Sequence, residues 1–186
     1  ADEITVLCCA VMIPPEGMDA ALFRQALTED APQDPVLRLK QLFQSNIKTY
    51  REQSALLHLT KTGWLTVTKD SQLRIHPVVR EICRSDLNAD IARCGAFLDR
   101  LWDWHCQNPY HARKYTQIAH CLSASRLLPG LCDPYRASHA GMIYQSLGLY
   151  AKAREYAALA LELALEILPH GSPALARFYG NLVAVC

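Results

Sequence analysis

Apolar positions run along most of this chain at three- and four-residue spacing, the period of an amphipathic helix. The spacing predicts a helix over Asp2–Val11, closed by Pro14-Pro15. A second runs over Met18–Leu27, with Leu22, Phe23 and Leu27 on one face. Thr28–Asp34 is an acidic, proline-punctuated loop. Pro35 opens a further helix carrying Leu37, Leu39, Leu42 and Phe43, and Gln44–Arg51 is polar and ambiguous. Glu52–Thr62 carries Leu56, Leu57 and Leu59, and Gly63 supplies its C-terminal cap. The period then changes. Leu65–Thr68 and Leu73–Ile75 are β-branched or aliphatic, and Lys69-Asp70-Ser71-Gln72 between them has turn chemistry, which predicts a hairpin. Pro77 suits the first turn of the next helix, where no backbone donor is needed; Val78, Val79 and Ile82 are its expected buried side. A helix, a hairpin and a closing helix in this order outline a winged-helix domain.

The second half is helical throughout. Asn88 is a plausible N-cap for Ala89–Cys106, whose apolar positions include Phe97, Leu98, Leu101, Trp102 and Trp104. Asn108-Pro109 interrupts, Tyr110–Leu128 resumes, and Pro129-Gly130 ends that helix. His139-Ala-Gly-Met-Ile-Tyr144 and Asn181-Leu-Val-Ala-Val-Cys186 superpose in register 42 residues apart, a period that signals stacked helical hairpins. Between them, Gly148 is the turn, and Ala157, Ala160 and Ala164 let a long helix lie close to its partner. Gly171-Ser172-Pro173 starts the next helix. This is the tetratricopeptide pattern, and it stops in mid-hairpin at Cys186, as though cut. The concave face would be lined around Ser138, Met142 and Gln145. Leu159–Leu168 is apolar on nearly all sides, which predicts a helix sandwiched between repeats and self-association through the face left bare. The expected fold is mainly α: a winged helix over 1–87 with a small β-hairpin wing, a helical spacer over 88–131, and the start of a repeat array over 132–186.

Composition narrows the function. A net charge of +1 on 186 residues argues against a dominant nucleic-acid electrostatic term. No run of about 18 apolar residues is present to span a membrane. Ala1-Asp2-Glu3 is acidic where a secretion signal is basic, and the start in an apolar run reads as an excision. The eight cysteines include no CxxC, and Cys8 and Cys9 are adjacent. The cluster His105-Cys106, His111, His120-Cys121 and Cys132 could gather a metal, but free thiols in a reducing cytosol are the favoured reading. A cytoplasmic location follows. The sequence holds no G-x-x-x-x-G-K-[ST], G-x-S-x-G or HExxH, so no catalytic activity is expected of this chain.

Domain order together with Leu57–Arg84 and His139–Cys186 resembles the signal-transducing ATPases with numerous domains. That family contains apoptotic and plant-immunity nucleotide switches and bacterial counterparts. Ile75-His76-Pro77 stands where plant members have Met-His-Asp, with Pro77 in place of the aspartate. The resemblance implies that His76 contacts the β-phosphate of ADP and holds a closed, inactive state. It also implies that ADP or ATP, with Mg, sits in a nucleotide-binding core elsewhere in the parent chain. The repeats, similar to those of kinesin light chains, would bind a protein or peptide ligand. The alternative is a DNA-binding winged helix, in which Glu52–Thr62 enters the major groove and Arg51, Gln53, Lys61 and Lys69 make the contacts. Against it, Leu56, Leu57 and Leu59 leave that helix one thin polar face. A pure scaffold is the third reading. Trp64 is expected in the core, and Trp102 and Trp104, two apart, on different sides of one helix.

Overall fold

The computed structural model describes residues 2–27, 51, 53–86, 91–128 and 130–186. They are mainly helical, with one small antiparallel sheet. The chain divides into two compact units, 1–97 and 98–186. The boundary expected near Leu131 falls inside the second unit, and the one near Leu87 lies outside the described residues. The helix expected from Pro35, the loop Thr28–Asp34 and the cap at Asn88 also lie outside them.

In the first unit α1 (Asp2–Val11) leads to β1 (Met18–Asp19) and α2 (Ala20–Leu27). A helix over 53–61, α3, precedes β2 (Leu65–Val67), β3 (Gln72–Ile75) and α4 (Pro77–Asp86). The hairpin forms within one residue of expectation at each end, with Leu65 opposite Ile75 and Val67 opposite Leu73. Thr68 N–H donates to Gln72 O at 2.8 Å, and Ser71 takes the left-handed conformation that closes the turn. At the end of α3, Trp64 N–H donates to Leu59 O and Gly63 N–H to Thr60 O, which satisfies carbonyls the helix leaves open.

β1 is a correction to the helix expected from Met18. Met18 and Asp19 pair with Leu73 and Gln72, so β3 becomes the middle strand in the order β1-β3-β2. Gly17 makes this approach feasible. Its φ is +104°, and a Cβ there would stand 2.9 Å from Arg74 Cγ and 3.1 Å from Leu73 O. The helix starts only at Ala20, with Asp19 Oδ1 accepting from Leu22 N–H at 2.8 Å as its cap. Met12, Ile13, Met18, Phe23, Leu65 and Leu73 fill the interior, and Phe23 meets Phe97 edge-on at 5.3 Å.

Three expected core positions are exposed. Trp64 is 46% exposed, Val78 60% and Ile82 52%. α4 instead seals its inner side with Cys83, which is buried, and with half-buried Val79. Leu57 on α3 is likewise exposed, while Leu59 is buried. An apolar stripe on a helix announces that something covers it, and α1 covers only the Cys83 side of α4.

In the second unit the C-terminal part of α5 (Ile91–Gln107) and α6 (Ala112–Ala124) are joined by a short turn. A 3-10 turn over Ser125–Leu127 follows, then α7 (Pro134–Ser146), α8 (Tyr150–Ile167) and α9 (Pro173–Val183). The stretch expected as a spacer is therefore part of the stack. Asp99 on α5 bonds to Arg136 on α7, 37 residues on. Trp102 and His139, at the same separation, stack face to face at 3.8 Å. Ser138 Oγ on α7 accepts from Asn181 Nδ2 on α9 at 2.8 Å, 43 residues apart, and Gln145 Nε2 donates to Ala184 O, 39 apart. These side chains tie α7 to the C-terminal part of α5 on one side and to α9 on the other.

α7 and α8 form an antiparallel hairpin through Leu147–Leu149. Tyr144 faces Tyr156, while Ala137 shares a buried cluster with Ala160, Ala164, Leu175 and Phe178. Between these contacts the two backbones come close at Gly141, where a Cβ would stand 3.2 Å from Ala153 O and 3.4 Å from Ala157 N. Both neighbours are main chain and cannot swing away. Replacing Gly141 with Val is expected to force the hairpin apart at a cost of about 1–3 kcal/mol. A fall of roughly 4–8 °C in melting temperature per kcal/mol is expected for a unit of this size, read from circular dichroism melts. Gly180→Ala is the contrast: a Cβ there meets nothing within 4 Å, so gained helix propensity should raise the melting temperature.

Candidate functional site

His76 sits at the junction of the β2–β3 hairpin and α4. Its N–H donates to Trp64 O at 3.0 Å, which continues the strand pairing by one residue, and its carbonyl accepts from Arg80 N–H at 2.9 Å as the first bond of the helix. That makes His76 the N-cap of α4, with Pro77 in the first turn where its missing donor costs nothing. The ring nitrogen Nδ1 accepts from Val78 N–H at 3.3 Å. An Nδ1 that accepts leaves the proton on Nε2, so the imidazole presents Nε2–H as a donor from an exposed position. The same capping device recurs at His111, whose Nδ1 accepts from Lys114 N–H at the start of α6. Capping alone therefore accounts for Nδ1. What distinguishes His76 is its company: Trp64, Val78 and Ile82 form the exposed apolar surface beside it, with Val78 and Ile82 one turn apart.

The residues named for DNA contact are exposed: Arg51, Gln53 and Lys61 on or beside α3, and Lys69 at the hairpin turn. Gln53 also lines a cleft of about 390 Å³ together with Arg24, Leu56, Leu57, Val67 and Leu73. The outward side of α3 carries Leu57 as well, and His58, whose Nδ1 lies 2.6 Å from Glu3 Oε1. An α1 carboxylate held on this face would meet DNA phosphates, an arrangement opposed to phosphate neutralisation.

Of the three residues named for ligand binding on the repeats, Met142 alone is an exposed side chain. Ser138 is 5% exposed and held by Asn181, and Gln145 is half-buried against the end of α9. The first of these is a packing contact between neighbouring helices. Sequence spacing alone could not separate it from a lining position, because a helix that packs sideways on its repeat neighbour hides part of the face it offers to ligand.

The cysteines and histidines once grouped as metal candidates are dispersed. Among the described residues no three His, Cys, Asp or Glu side chains come together to hold a metal. Cys121 is buried, Cys132 is half-buried and Cys106 is exposed. Burial, with Asp103 nearby, raises the Cys106 thiol, and burial raises that of Cys132. Burial, followed by neighbouring Cys8, pushes Cys83 up to about 11. Each shift favours the protonated thiol.

The second unit holds instead a knot of aromatic and imidazole rings that no motif announced. Trp102 stacks on His139 at an interplanar angle of 2° and touches His105 at 5.2 Å, and His105 meets Tyr115 edge-on at 4.2 Å. Trp102 and Trp104 are both half-buried, Trp104 lying under the Lys114 ammonium at 5.1 Å. His105 Nδ1 and His139 Nδ1 are buried and have no hydrogen-bond partner among the described residues. Burial disfavours the charged form of both rings. Burial, then Arg177, pushes His139 down to about 4, with Asp133 and Asp99 opposing and Arg136 assisting; burial lowers His105 as well.

No protein family, no curated protein and no solved structure matches the chain.

The His139 shift fixes a pH dependence. Above pH 6.5 the ring is neutral in the folded and the unfolded chain. Between 6.5 and about 4 the unfolded chain binds a proton that the folded unit does not, so stability falls with pH across that window. The melting temperature of the second unit should drop on acidification from 6.5 to 4. The slope should be flatter in His139→Phe, which keeps the stack on Trp102 without the titration.

Proposed function

We propose that this chain is the regulatory portion of a nucleotide-switched signalling ATPase, in which a winged helix latches the closed state and a tetratricopeptide-type array binds a protein or peptide ligand. The observation that carries the reading is, among the described residues, the element order α1-β1-α2-α3-β2-β3 with sheet order β1-β3-β2, ending on a histidine that caps the next helix and keeps Nε2–H available. The β1 pairing supports the winged-helix assignment more than the hairpin does. A two-stranded wing is common to many folds, whereas a short strand before the second helix that joins the far side of the hairpin is a specific topology.

The proposed latch is a single charge-assisted contact. An Nε2–H donates to a phosphate oxygen of ADP held by the nucleotide-binding core of the parent protein, where Mg and ATP would also bind. This chain has no glycine-rich phosphate cradle of its own, so most of the affinity resides in that core. The exposed Trp64, Val78 and Ile82 supply an apolar surface for the core to rest on, and burial of Val78 and Ile82 there would strengthen the closed state by roughly 1.5–3 kcal/mol for each side chain fully covered. Exchange of ADP for ATP removes the contact and shifts the population to the open state. In the second unit, the outer side of α7 around Tyr135 and Met142 is the proposed ligand surface. Both are exposed, and Tyr135 packs on Phe178 of α9 at 5.5 Å, so ligand contact would bridge two repeat helices.

Among the described residues no helix is long and apolar enough to cross a membrane, which fits the proposed cytoplasmic setting without establishing it.

Calorimetry of the full-length parent tests the latch. His76→Ala is expected to weaken ADP binding by about five- to tenfold while leaving ATP binding within twofold, as loss of one charge-assisted hydrogen bond predicts. His76→Asn, which preserves an N-cap oxygen, should weaken ADP in the same way; a variant that binds both nucleotides like the wild type would reduce His76 to a cap.

A further inference from the structure

We propose that the cleft between α2, α3 and the hairpin binds a small carboxylate with an apolar body, its anionic head held by Arg24 and Gln53. The inference shares no residue with the His76 surface and is independent of the nucleotide reading.

The cleft is assembled from stripes of fixed period. Ala20 and Arg24 stand one turn apart on α2, and Gln53, Leu56, Leu57 and Thr60 follow at i, i+3, i+4 and i+7 on α3. Val67 of β2 and Leu73 of β3 complete the lining. They are cross-strand partners, so both side chains leave the sheet on the same side. The enclosed volume is about 390 Å³, within the range of pockets that hold small organic ligands. Its base is apolar and sealed, with Leu73 1% exposed and Ala20 3%. Its walls are apolar and open to an occupant, with Leu57 56% exposed and Val67 48%.

Two polar groups set the chemistry of that occupant. Among the described residues Arg24 is the one charged residue of the lining, and it makes no ion pair or hydrogen bond there. Gln53 stands on the other helix, exposed and likewise without a partner among the described residues. Thr60 does not compete, because its hydroxyl donates to Leu56 O at 2.7 Å. The two helices therefore bring a guanidinium fork and an amide N–H donor to a cleft that is otherwise apolar. A carboxylate matches the fork with two parallel hydrogen bonds and leaves an oxygen lone pair for Gln53 Nε2. The apolar body behind it covers Leu57 and Val67, which removes their surface from water. A cationic ligand is repelled by Arg24. A nucleic-acid phosphate would satisfy Arg24 but set its polar backbone against the two open apolar walls.

Decanoate is the probe, titrated into the 186-residue chain and followed in proton–nitrogen correlation NMR spectra. Saturable shifts are expected at Arg24, Gln53, Leu57 and Val67, with a dissociation constant on the order of 100 μM to 1 mM for a ligand of this size. Decylammonium, with the same chain and the opposite charge, should bind at least tenfold more weakly. Arg24→Gln should weaken decanoate about tenfold and leave decylammonium no weaker than before, as loss of one charge-assisted pair predicts. Leu57→Gln should weaken decanoate several-fold. Both side chains are exposed, so the melting curves of these variants should match the wild type. The proposal is overturned by shifts that do not saturate or that map away from the cleft. It is equally overturned if decylammonium binds as well as decanoate, which reduces the cleft to an apolar surface, or if Arg24→Gln keeps the wild-type affinity.

Discussion

The second unit is organised around one guanidinium. Arg136 donates from Nε and Nη2 to the Asp99 carboxylate at 3.2 and 3.0 Å, and from Nη1 to Asp133 Oδ2 at 2.6 Å and to Leu131 O at 3.2 Å. Its side chain is 16% exposed, so these bonds operate in a partly desolvated setting, where charged hydrogen bonds are worth more and an unpaired charge costs more. The four contacts reach three pieces of chain: α5, the loop before α7, and the α7 cap itself. Asp133 is already occupied, its Oδ1 accepting from Tyr135 and Arg136 N–H. The helix start, the loop and the neighbouring helix are therefore fixed together, and the Trp102–His139 stack one turn further along inherits that alignment.

Much of this arrangement was legible because it depends on local chemistry. Gly63, Pro77, Gly148 and Gly171-Ser172-Pro173 mark element ends by what they permit or forbid in a few neighbouring residues, and each marks one here. The wing hairpin is local in the same sense. β1 was hidden because a two-residue strand has no period of its own; Met18 becomes a strand residue through Leu73, which lies more than fifty residues on. Trp64, Val78 and Ile82 were assigned to the core by their chemistry, yet chemistry states only that a surface prefers cover. Which of two apolar sides of α4 meets α1 was decided by Cys83, the least conspicuous of the candidates. The helices of the second unit were legible from their period, but the packing of α5 against α7 was not, since that contact runs through Asp99 and Trp102 rather than through a recurring motif.

The candidate site divides along the same line. That His76 precedes a helix could be read from Pro77; that its Nδ1 is spent on Val78 N–H, leaving Nε2–H as the outward donor, could not. For Ser138 the sequence offered a small polar residue on a repeat helix, which suits a ligand surface and a helix contact equally. Asn181 settles it, and Asn181 is 43 residues away. His105 was legible only as a member of a metal list and His139 only as a repeat position, because ring stacking has no sequence signature.

Two of the exposed apolar surfaces, one in each unit, call for different partners, and their polar groups show why. Beside Trp64, Val78 and Ile82 stands a donor with an unfilled valence for hydrogen bonding, and a partner that buried His76 without an acceptor would lose the bond that Nε2–H makes to water. A surface of that kind discriminates: it rewards a partner that brings an anion or carbonyl to one point and penalises one that does not. The stripe on α9 differs in kind: its one side-chain polar group is the hydroxyl at the tip of the Tyr179 ring, and Ala176, Gly180 and Val183 offer shape alone. The first surface is thus suited to a contact that a small molecule can switch, whereas a partner on the second is selected mainly by shape.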